Sequence, residues 1–103
     1  MPSEHEIQSA ILEWLDLKGI FSYRQNTGAA KLKGQWVKFG VRGAPDIIAV
    51  KNGRFIGIEV KKPGGIQSTA QASFAWNLIG AGGYYILAYS LDDVISGFAA
   101  LDT

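Results

Sequence analysis

Cysteine is absent from the chain, which excludes both a disulfide scaffold and a thiolate zinc site. A single histidine, His5, argues equally against a histidine-rich metal centre. No apolar run is long enough to span a bilayer, and the first residues lack the basic and apolar blocks of a secretory signal. The chain is therefore expected to be intracellular (cytoplasmic), with no membrane partner. Acids are scarce where bases are plentiful. All ten Lys and Arg residues lie between positions 18 and 62, where Asp46 and Glu59 are the only acids, so this segment carries +8 in a chain of net charge +1. Four acids precede it (Glu4, Glu6, Glu13, Asp16) and three follow (Asp92, Asp93, Asp102). A basic block around an acidic pair suits a phosphodiester-binding surface around a metal site; the alternative is a solvated basic face.

What is present points to one small domain covering residues 1–103, just large enough for a single core. The apolar fraction of 48% is high for a soluble domain and hints at a buried interface. Asn52-Gly53 between two β-rich apolar runs is a strong hairpin signal, because a type I′ turn needs positive φ at both central residues. With a two-residue loop the register follows. Lys51 faces Arg54, Val50 faces Phe55, Ile47 faces Ile58, and Asp46 lands opposite Glu59. Directly opposed carboxylates, with Cβ atoms about 5 Å apart, repel by roughly 3 kcal/mol at an effective dielectric near ~20. A shared proton or a bound cation relieves that repulsion. Side chains alternate along a strand, so Lys61 joins Asp46 and Glu59 on one face while Ile56, Ile58 and Val60 form the other. The polar face is a plausible site for a hard divalent cation beside an amine.

Earlier in the chain, Ser3-Glu4-His5-Glu6 matches a capping box, followed by Ile7, Ala10, Ile11, Trp14 and Leu15 at helical spacing up to Gly19. Glu6 has its role in the box. Glu4 falls within about 20° of Ile11 on the buried stripe, so it is either a functional acid helping to hold the metal or an acid favouring the helix dipole. Residues 20–25 read as a strand. Residues 29–34, with Lys31 and Lys33, read as a mobile basic loop suited to phosphate contacts, and residues 35–39 as a short strand. Beyond Lys62, Ser68-Thr69-Ala70-Gln71 is a second capping box, which alone accounts for Gln71. Residues 84–89 form an almost continuous apolar strand, as for a central position covered on both faces. Ser90 to Asp93 is expected to cap a last helix. The order α-β-(β)-β-β-α-β-α predicts an α/β fold of the mixed α+β kind, one mixed sheet flanked by helices, and the connection after the hairpin is long enough for a parallel crossover.

Pro45-Asp46 followed by Glu59-Val60-Lys61 is the sparse signature of the PD-(D/E)xK nuclease superfamily. Glu4-x-x-Ile7-Gln8, Arg24-x-Asn26-x-Gly28, Gly43-x-Pro45-Asp46, Ile58-Glu59-Val60-Lys61-Lys62 and Ser68-x-x-Gln71 together resemble the virus-type replication-repair nuclease (VRR-NUC) family. The resemblance spans nearly the whole chain, as in the minimal stand-alone members of phages and bacteria, with no departure at the catalytic positions. It implies a restriction-endonuclease-like core and a Mg²⁺- or Mn²⁺-dependent endonuclease with Asp46 and Glu59 as metal ligands. Lys61 would position or deprotonate the attacking water, Glu4 would complete the acidic site, and Gln71 would be a further site residue. Stand-alone members are similar to structure-selective nucleases that act as homodimers, including on four-way DNA junctions. Arg24, Asn26, Lys31, Lys33, Lys38, Arg42 and Lys62 are then the expected DNA contacts, directed at the backbone rather than at base edges. The rival readings are a restriction-like or nicking endonuclease with the same residues, and a non-catalytic basic DNA-binding module whose acidic pair is structural.

Overall fold

The capping box at the start of the chain closes at both ends in the computed structural model, whose description covers residues 2–25 and 28–102. The Glu6 amide donates to Ser3 Oγ and the Ser3 amide to Glu6 Oε1, each at 3.1 Å, opening helix α1 (Glu4–Leu17). Ile7, Ile11 and Leu15 form its buried stripe. Gly19, at φ 70°, turns the chain into β1 (Phe21–Arg24). A hairpin of β2 (Gly28–Leu32) and β3 (Gln35–Phe39) follows, then β4 (Ile47–Lys51) and β5 (Arg54–Val60). Helix α2 (Thr69–Gly80), strand β6 (Tyr84–Ala88) and helix α3 (Leu91–Leu101) complete the order.

The main sheet is mixed, with strands in the order β1-β4-β5-β6. β1 and β4 are antiparallel, β4 and β5 are antiparallel, and β5 and β6 are parallel across α2. The β4–β5 register matches the sequence expectation from Lys51↔Arg54 to Ile47↔Ile58, with Asn52 at φ 52° and Gly53 at φ 77° supplying the two positive-φ turn residues. One face of this sheet carries Ile47, Ala49, Ile56, Ile58, Val60, Ile86 and Ala88, which pack with α1 and with Val94 and Phe98 of α3 to form the core. The other face takes α2. Gly57 lies there, so close under Pro45 and Leu78 that an added Cβ would sit 2.8 Å from Pro45 Cγ. The fold is thus the expected mixed sheet flanked by helices. Among the described residues, no helix is long and apolar enough to cross a membrane.

Three expectations need correction. Residues 29–34 are not a loop: β2 pairs antiparallel with β3 in a separate two-stranded sheet, around a Lys33-Gly34 turn with φ 49° and 79°. β6 is not central but lies at the sheet edge, its faces covered by helices while one lateral side has no partner strand among the described residues. Ser90 makes no side-chain cap; instead the Tyr89 amide donates to Asp93 Oδ2 at 2.8 Å, so Asp93 caps the entry to α3 from within its first turn.

A candidate metal centre on the α2 face of the sheet

The β4–β5 register, continued by one pair, sets Asp46 opposite Glu59 at the open end of the hairpin. Asp46 is fixed through Oδ2, which accepts the Val60 amide at 2.7 Å, while its own carbonyl accepts the Gln25 amide from the end of β1. Glu59 is only 2% exposed. Its Oε2 accepts Gln71 Nε2 at 2.9 Å and has Lys61 Nζ at 3.9 Å. Its Oε1 is buried and has no hydrogen-bond donor among the described residues. Lys61 extends β5 by one ladder bond, its amide donating to the Ala88 carbonyl at 3.0 Å, which sends its side chain to the Glu59 side.

Gln71 does two jobs with the two ends of one amide. Its Oε1 accepts the Ser68 amide at 2.8 Å, completing the cap of α2, while its Nε2 donates to Glu59. The helix is brought close enough for this by Gly43, whose φ of 77° and missing Cβ let the chain pass against the Ala70 carbonyl. Glu4 approaches from α1, its Oε2 accepting the Lys62 amide at 3.4 Å.

Electrostatics reflect this crowding. Burial pushes the Glu59 carboxyl up from 4.5 to about 8, with the Asp46 charge adding to the rise and Lys61 opposing it. Burial also raises Asp46, opposed by the Val60 amide and by a hydrogen bond shared with Glu59. Both carboxyls are therefore pushed toward the neutral form, and in the metal-free protein the pair shares a proton near neutral pH. A cation is the other way to satisfy the orphaned Oε1, and the donor set suits one. Carboxylate oxygens are the hard donors that Mg²⁺ takes, usually one or two of them from the protein. Among the described residues no group of three or more His, Cys, Asp or Glu side chains is gathered for a metal; Glu4 raises both carboxyls of the pair through its charge and accepts the Lys62 amide.

Of the other expected site residues, Arg42 is exposed beside the first turns of α2, where Val41, Arg42, Thr69, Ala70 and Ser73 line a shallow cavity. Lys62 is exposed next to Lys61. Lys31, Lys33 and Lys38 are exposed on the β2–β3 hairpin, which forms a sheet separate from the one that carries the acidic pair. Arg24 sits on the α1 side of the sheet, opposite Ile47, with a buried Nε that has no hydrogen-bond partner among the described residues. Asn26 lies outside the described residues. Sequence reasoning missed Tyr85 and Gln67. Tyr85 lies beside Gly57 on the Glu59 face, its hydroxyl accepting Gln67 Nε2 at 3.0 Å and pushed up to about 12 by burial, with smaller contributions from Glu59 and Asp46. The alternation in residues 84–88 assigns Tyr85 to that face, but only the parallel pairing of β5 with β6 brings it to the site. Set against models of known protein families and against curated proteins, the chain matches none.

Proposed function

We propose that the chain is a Mg²⁺- or Mn²⁺-dependent DNA endonuclease of the VRR-NUC kind, structure-selective, working inside the cell as a homodimer on four-way junctions. The observation that carries this reading is the buried, register-opposed, proton-sharing pair Asp46–Glu59, with an amine and an amide converging on one Glu59 oxygen and no such donor to the other among the described residues. A pair kept only for structure gains nothing from directly opposed carboxyl groups that burial and mutual repulsion both disfavour in the charged form.

The cation, when bound, polarises the scissile phosphate, acidifies water and stabilises the leaving oxygen. Asp46 and Glu59 offer it oxygens, and the pair gives up its shared proton to do so. Gln71 holds the Glu59 carboxylate in one orientation from the α2 cap. Lys61, whose side chain is only 17% exposed, positions or deprotonates the attacking water and adds positive charge where the phosphate gains negative charge. Glu4 steadies Lys62, the residue after Lys61.

The test is incubation of purified protein with labelled junction, flap, hairpin and linear duplex DNA in Mg²⁺, Mn²⁺ or EDTA. Symmetric nicks on the junction, absent in EDTA and lost in Asp46→Ala and Lys61→Ala, are expected. Cleavage that survives either substitution or chelation overturns the mechanism, and retarded but uncut junctions would leave a DNA-binding module.

A further inference from the structure

The β2–β3 hairpin takes no part in the acidic site, and its two faces differ. Lys31 pairs with Trp36 and Ala29 with Lys38, so these four share one face, while Ala30, Leu32, Gln35 and Val37 share the other. Residues 28–39 hold three lysines and no acid. Trp36 is 72% exposed, and the hairpin packs chiefly on itself. A two-stranded hairpin with no cover is marginal in water, so an indole displayed between two lysines on such an element calls for an occupant.

We propose that the Lys31–Trp36–Lys38 face binds a DNA strand where stacking is interrupted, at a branch point or a bulged base, with the indole stacked on the bared base and the lysines on the neighbouring phosphates. This rests on the endonuclease reading and specifies what feature of a branched substrate is read. Charge selects the partner: a face with two cations, no acid and one flat aromatic complements a polyanion that carries flat rings. Pairing and stacking select the feature, because a base within a duplex has both faces covered and offers the indole nothing. Ala29, the small neighbour on that face, leaves the indole accessible. Stacking tolerates any base, in keeping with selection of shape over sequence.

The test is equilibrium binding in EDTA, so that nothing is cut, to two labelled duplexes of one sequence, fully paired or carrying a bulged 2-aminopurine. Trp36→Ala is expected to weaken the bulged duplex on the order of tenfold and leave the paired one unchanged. Trp36→Phe should restore most of the loss, and binding should quench 2-aminopurine emission. Lys31→Ala with Lys38→Ala should weaken both duplexes and flatten the salt dependence by about two phosphate contacts. Far-UV circular dichroism guards against misfolding. Equal loss on both duplexes, or none, overturns the proposal, as does a change in sedimentation of Trp36→Ala without a change in affinity, which would mean that a second copy covers the indole. Cleavage in Mg²⁺ run in parallel separates the two ideas. Native protein that cuts DNA while Trp36→Ala binds normally loses only the stacking role; native protein that neither binds nor cuts loses the endonuclease reading and this proposal together.

Discussion

Glu59 joins the strand to the chemistry, and its protonation gives the candidate site a thermodynamic signature. Its folded-state pKa is raised from 4.5 to about 8, so between those values the native state holds more protons than the unfolded chain. Stability of the metal-free protein must then fall as pH rises through that window and level off above it, with Asp46 acting in the same direction. Thermal melts in EDTA should show this decline, and Glu59→Gln, which fixes the neutral state, should flatten it; an unchanged slope would remove Glu59 as its source. Adding Mg²⁺ near neutral pH should release a proton and raise the midpoint in the native protein but not in Asp46→Asn. Gln71 gives a sharper test, because its amide serves two partners of opposite kind. Gln71→Glu keeps an acceptor for the Ser68 amide but presents Glu59 with a third carboxylate instead of a donor. The fold should survive, while Mg²⁺ affinity or cleavage drops by roughly 10- to 100-fold. A variant as active as the native chain would reduce Gln71 to a cap.

Among the elements, the docking of α2 onto the sheet depends on glycines that the helix itself does not contain. Gly43 and Gly53 both have φ of 77°, but a Cβ at Gly43 strikes the Ala70 carbonyl whereas one at Gly53 meets nothing within 4 Å. Gly53→Ala should therefore cost only backbone strain, about 1 kcal/mol, and Gly43→Ala clearly more, with loss of Mg²⁺ stabilisation because Gln71 follows Ala70. Denaturant melts of the pair measure the difference, and equal costs would show that this contact does not hold α2. These elements also show what a sequence can and cannot say. Asn52-Gly53 is turn chemistry with a known φ requirement, so it set the β4–β5 register and with it the opposition of Asp46 and Glu59. The Lys33-Gly34 turn uses positive φ at a lysine, and β2 is short with both faces in water, so neither turn residues nor apolar alternation announced it. The apolar run in β6 reports that its faces are covered, which α2 and α3 do; it says nothing about lateral neighbours, hence the mistaken central placement. The approaches of Gln67 and Tyr85 likewise depend on tertiary pairing that no local pattern encodes.

Over the whole molecule, exposed indoles stand in two settings, Trp36 among lysines on the β2–β3 hairpin and Trp76 on an uncharged helix. Of the expected DNA contacts, Lys31, Lys33 and Lys38 lie on the β2–β3 hairpin and Lys62 lies beside Lys61, while Lys51, at the far end of the β4–β5 hairpin, is committed to Asp102 at 2.9 Å. The chain is elongated, 50 × 34 × 27 Å, with a radius of gyration of 14.2 Å against about 13 Å for a compact domain of this length. Helix α2 belongs to neither charged group. It contains no charged residue, buries none of its side chains fully, and leaves Trp76 81% exposed, with Ile66 in the preceding loop 84% exposed. A stable interface needs about 800 Å² from each partner, and this uncharged surface is where the proposed homodimer would find it. Sedimentation velocity at micromolar concentration should therefore return a dimer for the native chain and a monomer for Trp76→Glu. Because Trp76 is 81% exposed while Glu59 is buried and held by Gln71 and Lys61, the Mg²⁺-dependent rise in melting temperature should survive in that variant. Junction cleavage should not survive in the same form: two linked active sites cut opposing strands within one complex, whereas a monomer leaves single nicks that accumulate before the second incision. A native protein that sediments as a monomer would remove paired incision from the mechanism, and a dimeric Trp76→Glu would move the interface away from α2.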